Sequence, residues 1–136
     1  MLRVRDTEKC MDHVVHLFPE DDIYYLFEEV WAIGSGLGQP PFATVGVLAN
    51  LETEINGHPY ILASSEIVFG NSGGSLMRFS EQRDRFEMIG IPSRMSVAGF
   101  SLIEHMGWSI RIDTIREFLI GERVEYILGI SKSVDY

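Results

Sequence analysis

The chain has 136 residues, of which 46% are hydrophobic, and its formal net charge at pH 7 is −9. This length suits one globular domain with a modest core. The excess of acidic residues argues against a nucleic-acid partner, since phosphates attract basic surfaces. No apolar run approaches the roughly 20 residues of a membrane-spanning helix, so we expect no membrane partner.

The N-terminal residues carry no targeting pattern. The run Met1–Asp6 lacks the basic and then apolar order of a signal peptide. Cys10 is the only cysteine, so no intrachain disulfide is expected. Both features favour a cytoplasmic, reducing location.

Six short apolar runs, rich in β-branched and aromatic residues, are separated by glycine, proline, asparagine or charge clusters and predict six strands. They are Val30–Ile33, Thr44–Leu51, Tyr60–Ala63, Leu76–Phe79, Phe86–Ile91 and Trp108–Ile112. Six short strands suit one small closed barrel. The clearest hairpin turns at Asn56-Gly57, because Asn-Gly favours the type I′ turn that matches strand twist.

A helix is predicted after the last strand. Thr114 with Glu117 three residues on resembles a capping box, and Ile115 and Phe118 begin an apolar stripe that would dock on the barrel. Gly121 is expected to end the helix or kink it.

The run Gly70-Asn71-Ser72-Gly73-Gly74 is the most informative motif, because it presents one hydroxyl on a turn without bulky side chains. Glycines on both sides permit positive φ and close approach to a ligand. The N–H groups of Gly70 and Ser72 can then point together at a developing oxyanion, as acyl transfer requires. A loop of small residues without catalytic role is the alternative interpretation.

The residues after the motif distinguish two classes of serine hydrolase. In α/β-hydrolases the G-x-S-x-G elbow leads directly into a helix. Here Ser75–Phe79, a charged breaker and Phe86–Ile91 predict strand, turn and strand. A hairpin at this place is typical of the all-β serine proteases, although an α/β-hydrolase esterase remains an alternative.

Four further segments carry a resemblance in the right order, namely Val30–Gly38, Ile61–Phe69, Met88–Ser93 and Met106–Asp113. Together with the serine turn they resemble the second barrel of the HtrA-type branch of trypsin-like serine proteases. The resemblance implies an all-β fold, a six-stranded chymotrypsin-like β-barrel that forms the second lobe of the two-barrel fold, with a C-terminal helix. It also implies three parts, with residues 1–25 as a remnant of the segment between the barrels, 26–121 as the barrel with its docking helix, and 122–136 as a C-terminal tail.

By this resemblance Ser72 is the nucleophile, and the N–H groups of Gly70 and Ser72 form the oxyanion hole. Asp12 matches the carboxylate that orients the catalytic histidine, while Asp6 competes for that role. Asn71 replaces the aspartate of the digestive enzymes, so zymogen-type activation is not expected. The histidine itself is expected on a first barrel that lies outside this chain, because none precedes Asp12. An isolated lobe is therefore expected to be nearly inert.

The four histidines of the chain, His13, His16, His58 and His105, are expected to be surface or half-buried residues. His13 and His16 are spaced like a weak metal pair, but no third ligand motif accompanies them, so no metal site is predicted. No cofactor is predicted either, since Gln39 stands where a dinucleotide-binding loop needs its last glycine.

The resemblance also assigns a mainly apolar substrate pocket. Its residues would be Ile67, Phe69, Ile91, Ser93 and Trp108, with Glu66 at the edge. The implied partner is a peptide or protein substrate, paired with the strand around residues 91–93.

Two further partners are expected, a histidine-bearing first barrel or a second copy of the chain. Either would cover an apolar face that includes Leu17, Phe18 and the run Tyr24–Phe27. A degenerate, non-catalytic peptide-binding module of the same fold is the second hypothesis for function.

Overall fold

The computed structural model describes residues 14–98 and 101–124. Their strands are β1 (His16–Leu17), β2 (Glu29–Gly34), β3 (Phe42–Ile55), β4 (His58–Ala63), β5 (Ser75–Ser80), β6 (Arg85–Ala98) and β7 (Ser101–Arg111), with a short 3-10 helix at Gly36–Gly38 and helix α1 at Ile112–Gly121. Residues 1–13, including Asp6, Asp12 and His13, lie outside the described part.

Six strands close into a ring in the order β6-β5-β2-β3-β4-β7, and β7 pairs back onto β6. The two 14-residue strands, β3 and β6, make closure possible because each pairs with one neighbouring strand along its first part and with another along its second part. β3 pairs with β2 through residues 42–47 and then with β4, while β6 pairs with β5 up to Gly90 and then with β7. The ring and the single α-helix of the described residues confirm the predicted chymotrypsin-like barrel.

The core fills the ring with apolar side chains from strands β2 to β6, the loop after β4, the start of α1 and the segment before β2. The fully buried members are Phe18, Val30, Ala32, Leu48, Ile61, Ala63, Ile67, Leu76, Ile89 and Ile112. Alternating inward positions on strands account for this pattern, since successive side chains point to opposite faces.

Most local predictions are confirmed. The turn at Asn56 and Gly57 has positive φ at both residues, 55° and 79°, as a type I′ turn requires. The helix ends at Gly121 as expected. The cap at Thr114 is wrong, because the helix begins two residues earlier and the Thr114 hydroxyl makes no hydrogen bond within the described residues. Instead the Asp113 carboxylate accepts the Thr114 N–H at 2.8 Å.

The segment before β2 packs on the barrel more closely than the sequence predicted. Phe18 is buried and stacks on Tyr24, with ring centroids 4.4 Å apart, so these two rings are not available to cover a partner. Tyr25, Leu26 and Phe27 are exposed, and Phe27 has a strained φ of 66°. Only the second half of the predicted apolar face therefore reaches solvent.

An ion cluster fixes this segment to one end of the barrel. Arg78, 4% exposed, donates to Asp22, to Glu28 at 3.1 Å and to Glu87 at 3.1 Å. Glu87 is fully buried and also accepts from Arg83 at 2.6 Å. The Arg78 guanidinium lies 4.2 Å from the centroid of a ring of the core, that of Phe18. Buried charges of both signs therefore neutralise one another where the segment meets β5 and β6.

The cluster predicts a loss of stability in acid. Hydrogen bonds from Arg83 and Arg78 lower the pKa of Asp22 to about 2. Burial alone would raise the pKa of Glu87, but hydrogen bonds from Arg83, Arg78 and neighbouring Arg85 outweigh it and lower that pKa. Because both folded-state pKa values lie below the unfolded values near 4, the stabilisation is complete above about pH 5 and is lost as pH falls toward 2.

Chemical denaturation at several pH values checks this expectation. We expect the free energy of unfolding to fall steadily between pH 5 and pH 2, and to fall less steeply in the Asp22→Asn variant, which has one fewer carboxylate to protonate. A variant with the same slope as the wild type would assign the acid sensitivity to other carboxylates.

A close contact between Gly107 and Ile67 predicts a second stability effect. A Cβ atom at Gly107 would lie 2.2 Å from Ile67 Cδ1 and 2.7 Å from its Cγ1. Gly107→Ala is therefore expected to lower the free energy of unfolding by about 1 to 3 kcal/mol through overpacking. Gly121→Ala is the matched control, because a Cβ there meets no atom within 4 Å.

Thermal denaturation of the Gly107→Ala/Ile67→Ala pair tests the cause. Removing the clashing atoms should make the double variant less destabilised than the sum of the single variants by more than about 1 kcal/mol. Additive losses would mean that the two residues are not in the contact described.

No helix of the described residues has the length and apolar character needed to cross a lipid bilayer.

Candidate functional site

The Gly70–Gly74 run forms a turn between the 64–69 loop and β5. The N–H of Gly74 donates to the carbonyl of Asn71 at 3.0 Å, which closes the turn, and the N–H of Gly73 donates to the Pro92 carbonyl at 3.0 Å, which anchors it on β6. Gly70 and Gly73 have φ values of 102° and 83°, so the predicted need for glycine is met.

The side chain of Ser72 faces solvent at the tip of this turn. The backbone N–H groups of Gly70 and Ser72 donate to no atom among the described residues, since neither group belongs to a strand ladder or to the loop hydrogen bonds. Two unpaired amides thus flank one free hydroxyl. These two N–H groups are the donors that the predicted oxyanion hole requires, and the described residues do not otherwise use them.

An open depression of about 530 Å³ surrounds the hydroxyl. Its lining is Ile33, Gly34, Ser35, Pro41, Gly70, Ser72, Gly73, Gly74, Ser75 and Met88. The lining holds no ionisable side chain, so the described residues place no general base beside Ser72.

Asn71 is buried at 1% exposure directly beneath the serine, a position the sequence did not reveal. Neither its Oδ1 nor its Nδ2 has a partner among the described residues. Its side chain fits because Gly34 and Gly36 leave room. A Cβ at Gly36 would lie 2.6 Å from Asn71 Oδ1, and one at Gly34 would lie 3.1 Å from Asn71 Cα. In the sequence, the Gly34-x-Gly36 spacing is the one indication that another group packs closely against this loop.

The backbone of the turn also touches strand β2 and the loop that follows it. A Cβ at Gly74 would lie 2.2 Å from the Ile33 carbonyl oxygen, and one at Gly70 would lie 2.7 Å from the Ser35 carbonyl oxygen. The Phe69 carbonyl accepts the Leu37 N–H at 2.6 Å. The turn is therefore held on three sides, by β2, by the 3-10 helix and by β6.

The described histidines lie away from the turn. His16 is exposed on β1, where it pairs in register with Glu87. His58 opens β4 after the Asn56-Gly57 turn. His105 is exposed on β7, with Nε2 3.7 Å from Glu66 Oε1. None of the three lines the depression around Ser72.

The residues assigned to the substrate pocket are spread over the loop and two strands. Ile67 is buried in the core, and Phe69 is 61% exposed beside the turn. Ile91 is half-buried opposite Ile110, and Ser93 lies at the irregularity in the pairing of β6 with β7. Half-buried Trp108 donates its indole N–H to Ser96 Oγ at 2.8 Å. Their contact with a substrate stays a prediction.

In the described residues no three or more His, Cys, Asp or Glu side chains are grouped so as to hold a metal ion.

Solved structures similar to this chain include HtrA-type proteases. The HtrA-type protease AlgW with a tripeptide has a TM-score of 0.67 and 21% sequence identity, over 82% of this chain and 36% of that chain. AlgW with a decapeptide has a TM-score of 0.66 and 22% identity, over 81% and 34%. The serine endoprotease from Yersinia pestis has a TM-score of 0.61 and 21% identity, over 83% and 36%. The chain thus spans about a third of the length of these structures.

No protein-family model and no curated protein matches the chain. At this level of identity the structural likeness establishes the fold alone, a trypsin-like β-barrel lobe similar to that of HtrA-type proteases. The predicted resemblance is confirmed to that extent. An α/β-hydrolase is excluded, because strand β5 follows the serine turn where that class requires a helix.

Proposed function

We propose that this chain is the serine-bearing lobe of a trypsin-like serine endopeptidase, which hydrolyses peptide bonds through Ser72. The observation that carries the proposal is the exposed hydroxyl flanked by the unpaired N–H groups of Gly70 and Ser72. Solved proteins of the same fold contain bound peptides, which supports a peptide or protein substrate.

In the proposed reaction, Ser72 Oγ attacks the scissile carbonyl carbon, and a histidine on a first barrel accepts the hydroxyl proton. The N–H groups of Gly70 and Ser72 stabilise the oxyanion that forms. Asp12 orients the histidine, and the histidine then donates its proton to the leaving amine. The depression beside Ser72 offers no base of its own among its lining residues, so the reaction depends on the added barrel.

The same lack of a base favours a second function, a peptide-binding module that has the protease fold without the chemistry. In this module a peptide pairs with β6 beyond Gly90, where β5 no longer pairs with that strand. Binding would then survive Ser72→Ala, and no cleavage would occur with any first barrel.

Covalent labelling tests the proposal. The chain is joined behind the first barrel of the Yersinia pestis serine endoprotease, and the fusion is treated with a fluorescent peptidyl phosphonate. We expect labelling of the fusion at Ser72, at a rate about 10³-fold or more above that of the lone chain, because a serine without its histidine loses most of its reactivity. Ser72→Ala should abolish the label.

Ser75→Ala is the matched control, since Ser75 lines the same depression and should leave labelling unchanged. Circular dichroism and sizing establish that each fusion is folded. A folded fusion that is not labelled would contradict the endopeptidase proposal and favour the binding module. Labelling of the lone chain at the rate of the fusion would contradict the need for a first barrel.

A further inference from the structure

Two apolar side chains lie in solvent beside the serine turn. Leu37, on the 3-10 helix, is 69% exposed, and Phe69, the residue before Gly70, is 61% exposed. The Leu37 N–H donates to the Phe69 carbonyl at 2.6 Å, so the backbone segments that carry the two side chains are in direct contact. Apolar side chains left in solvent next to a concave site mark a place where a ligand removes them from water.

This pair lies at the edge of the depression around Ser72. Ser35 and Pro41, which precede and follow the 3-10 helix, line the depression. A Cβ at Gly70 would lie 3.1 Å from the Leu37 nitrogen. Leu37 therefore neighbours the residue whose N–H group is one donor of the proposed oxyanion hole, and a peptide bound at Ser72 passes close to it.

The turn contacts β6 after Ser72 and the 3-10 helix before it. The N–H of Gly73 donates to the Pro92 carbonyl of β6 at 3.0 Å, whereas Gly70 packs against the 3-10 helix. In the proposed reaction the acyl part of the substrate pairs with β6. The amine part then continues past Gly70 toward the two exposed side chains.

Phe69 does not share a pocket with Ile67, although the sequence assigned both to one. Ile67 is 2% exposed and packs against Gly107 in the core. Phe69, two residues later, is in solvent and is joined through its carbonyl to the 3-10 helix. Its surroundings are therefore those of Leu37 and not those of the core.

No charge lies near either side chain in the sequence. Residues 30–51 and 67–77 contain no Asp, Glu, Lys, Arg or His, and the depression itself is lined by no ionisable side chain. A charged group placed here would lose water without gaining an opposite charge. A large apolar group would instead remove its own surface and that of Leu37 and Phe69 from water.

The backbone of Leu37 has a conformation that glycine or asparagine adopts more easily. Its φ of 54° and ψ of 26° are left-handed, which is unfavourable for leucine. Because the side chain is also exposed, it contributes little to the core. A contact with substrate accounts for a leucine at this position.

We propose that Leu37 and Phe69 form the site for the residue that follows the scissile bond, and that this site selects a large apolar side chain such as phenylalanine. The inference rests on the proposed endopeptidase function and adds the substrate class on the leaving side of the bond. The site that holds the departing amine also holds an amine that attacks the acylated serine in the reverse direction. Acyl transfer to an added amine therefore measures it.

The test uses the fusion of this chain with a first barrel and the thiobenzyl ester of N-acetylvaline. Ser72 Oγ attacks the ester carbonyl carbon, and the benzylthiolate leaves. The acyl group then passes to water, giving the acid, or to the nitrogen of an added amine, giving the amide, and a proton returns to Ser72 Oγ through the histidine of the first barrel. The ratio of amide to acid is measured with phenylalaninamide, glycinamide or the α-amide of glutamate, after subtraction of the reaction with the Ser72→Ala fusion.

We expect phenylalaninamide to capture the acyl group at least about tenfold more efficiently than either other amine, because an aromatic side chain is removed from water. Phe69→Ser should reduce this preference to less than about threefold. Leu37→Asn should also reduce it, and asparagine accepts the positive φ, so the backbone is not disturbed. Each ratio compares two products of one acylated serine, so it does not depend on the rate of acylation.

Phe118→Ser is the matched control. Phe118 is 64% exposed on α1 and does not line the depression, so its replacement should keep the full preference. An equal loss in Phe118→Ser and Phe69→Ser would contradict a site at Phe69.

The remaining outcomes distinguish this inference from the function on which it rests. Thiol release with equal capture of the three amines would overturn the leaving-side site and leave the endopeptidase proposal standing. A preference that persists in both Phe69→Ser and Leu37→Asn would assign the contact to the first barrel. A folded fusion that releases no more thiol than the Ser72→Ala fusion would contradict the endopeptidase proposal and this inference with it.

Discussion

Replacing Glu87 with leucine is expected to lower the free energy of unfolding by about 3 to 5 kcal/mol. Glu87 is fully buried and accepts hydrogen bonds from Arg78, Arg83 and Arg85. Removing its carboxylate leaves the Arg78 guanidinium, 4% exposed, with one opposite charge fewer in a region that water does not reach. The cluster then holds the guanidiniums of Arg78, Arg83 and Arg85 against only the carboxylates of Asp22 and Glu28, and a buried positive charge in excess costs far more than the lost pair contributed.

Urea denaturation at pH 7 measures this loss. Glu81→Leu is the control, because Glu81 is an exposed residue in the β5–β6 turn and its replacement should change stability by less than about 0.5 kcal/mol. Arg78→Met combined with Glu87→Leu should be less destabilised than the two single variants predict together. A loss below about 1 kcal/mol in Glu87→Leu would mean that the arginines find compensation in solvent.

Gly74→Ala is expected to disrupt the presentation of Ser72. An added Cβ would lie 2.2 Å from the Ile33 carbonyl oxygen and 3.0 Å from that of Asn71. Both atoms belong to the backbone, so neither can move aside without shifting the turn or β2. A displacement of about 1 Å near a reacting group can cost on the order of 10²-fold in rate, and overpacking adds about 1 to 3 kcal/mol of lost stability.

Phosphonate labelling of the two-barrel fusion measures the first effect, and thermal denaturation of the lone chain measures the second. Gly38→Ala separates steric contact from backbone strain, because Gly38 has φ of 72° but a Cβ there meets no atom within 4 Å. It should lose about 1 kcal/mol of stability and keep the labelling rate. Gly74→Ala with a normal labelling rate would show that the turn tolerates a shift of its backbone.

The sequence predicted the barrel well because its strands carry local signals. Alternating apolar runs and the Asn56-Gly57 turn depend on residues that are neighbours in the chain, and both were placed correctly. The extension of β6 to Ala98 and the pairing of β1 with β6 were missed. The pairing of β1 with β6 joins residues far apart in the chain, such as His16 and Glu87. The extension of β6 forms a local hairpin with β7, in which Ala98 pairs with Ser101, but the polar stretch after Pro92 has no strand signal of its own.

The site was also predicted only in part, because sequence patterns indicate local structure and not contacts between residues far apart in the chain. The exposure of Ser72 and the positive φ of Gly70 follow from a five-residue motif. The burial of Asn71 beside Gly36 depends on contact between loops 35 residues apart in sequence, and the Gly34-x-Gly36 spacing alone does not indicate which residue fills the space beside it. The ion cluster likewise brings Asp22 to Arg78 across 56 positions.

The contacts of the serine turn distinguish the residues that folding requires from the residue that only the proposed reaction requires. Gly70 and Gly74 lie against carbonyl oxygens of β2 and of the loop after it, so a descendant that had lost all hydrolytic activity would still need both glycines to fold. The hydroxyl at position 72 touches solvent and supports nothing around it. In a set of related sequences, replacement of the serine at that position, with the glycines retained, would therefore indicate a lineage that has lost catalytic function.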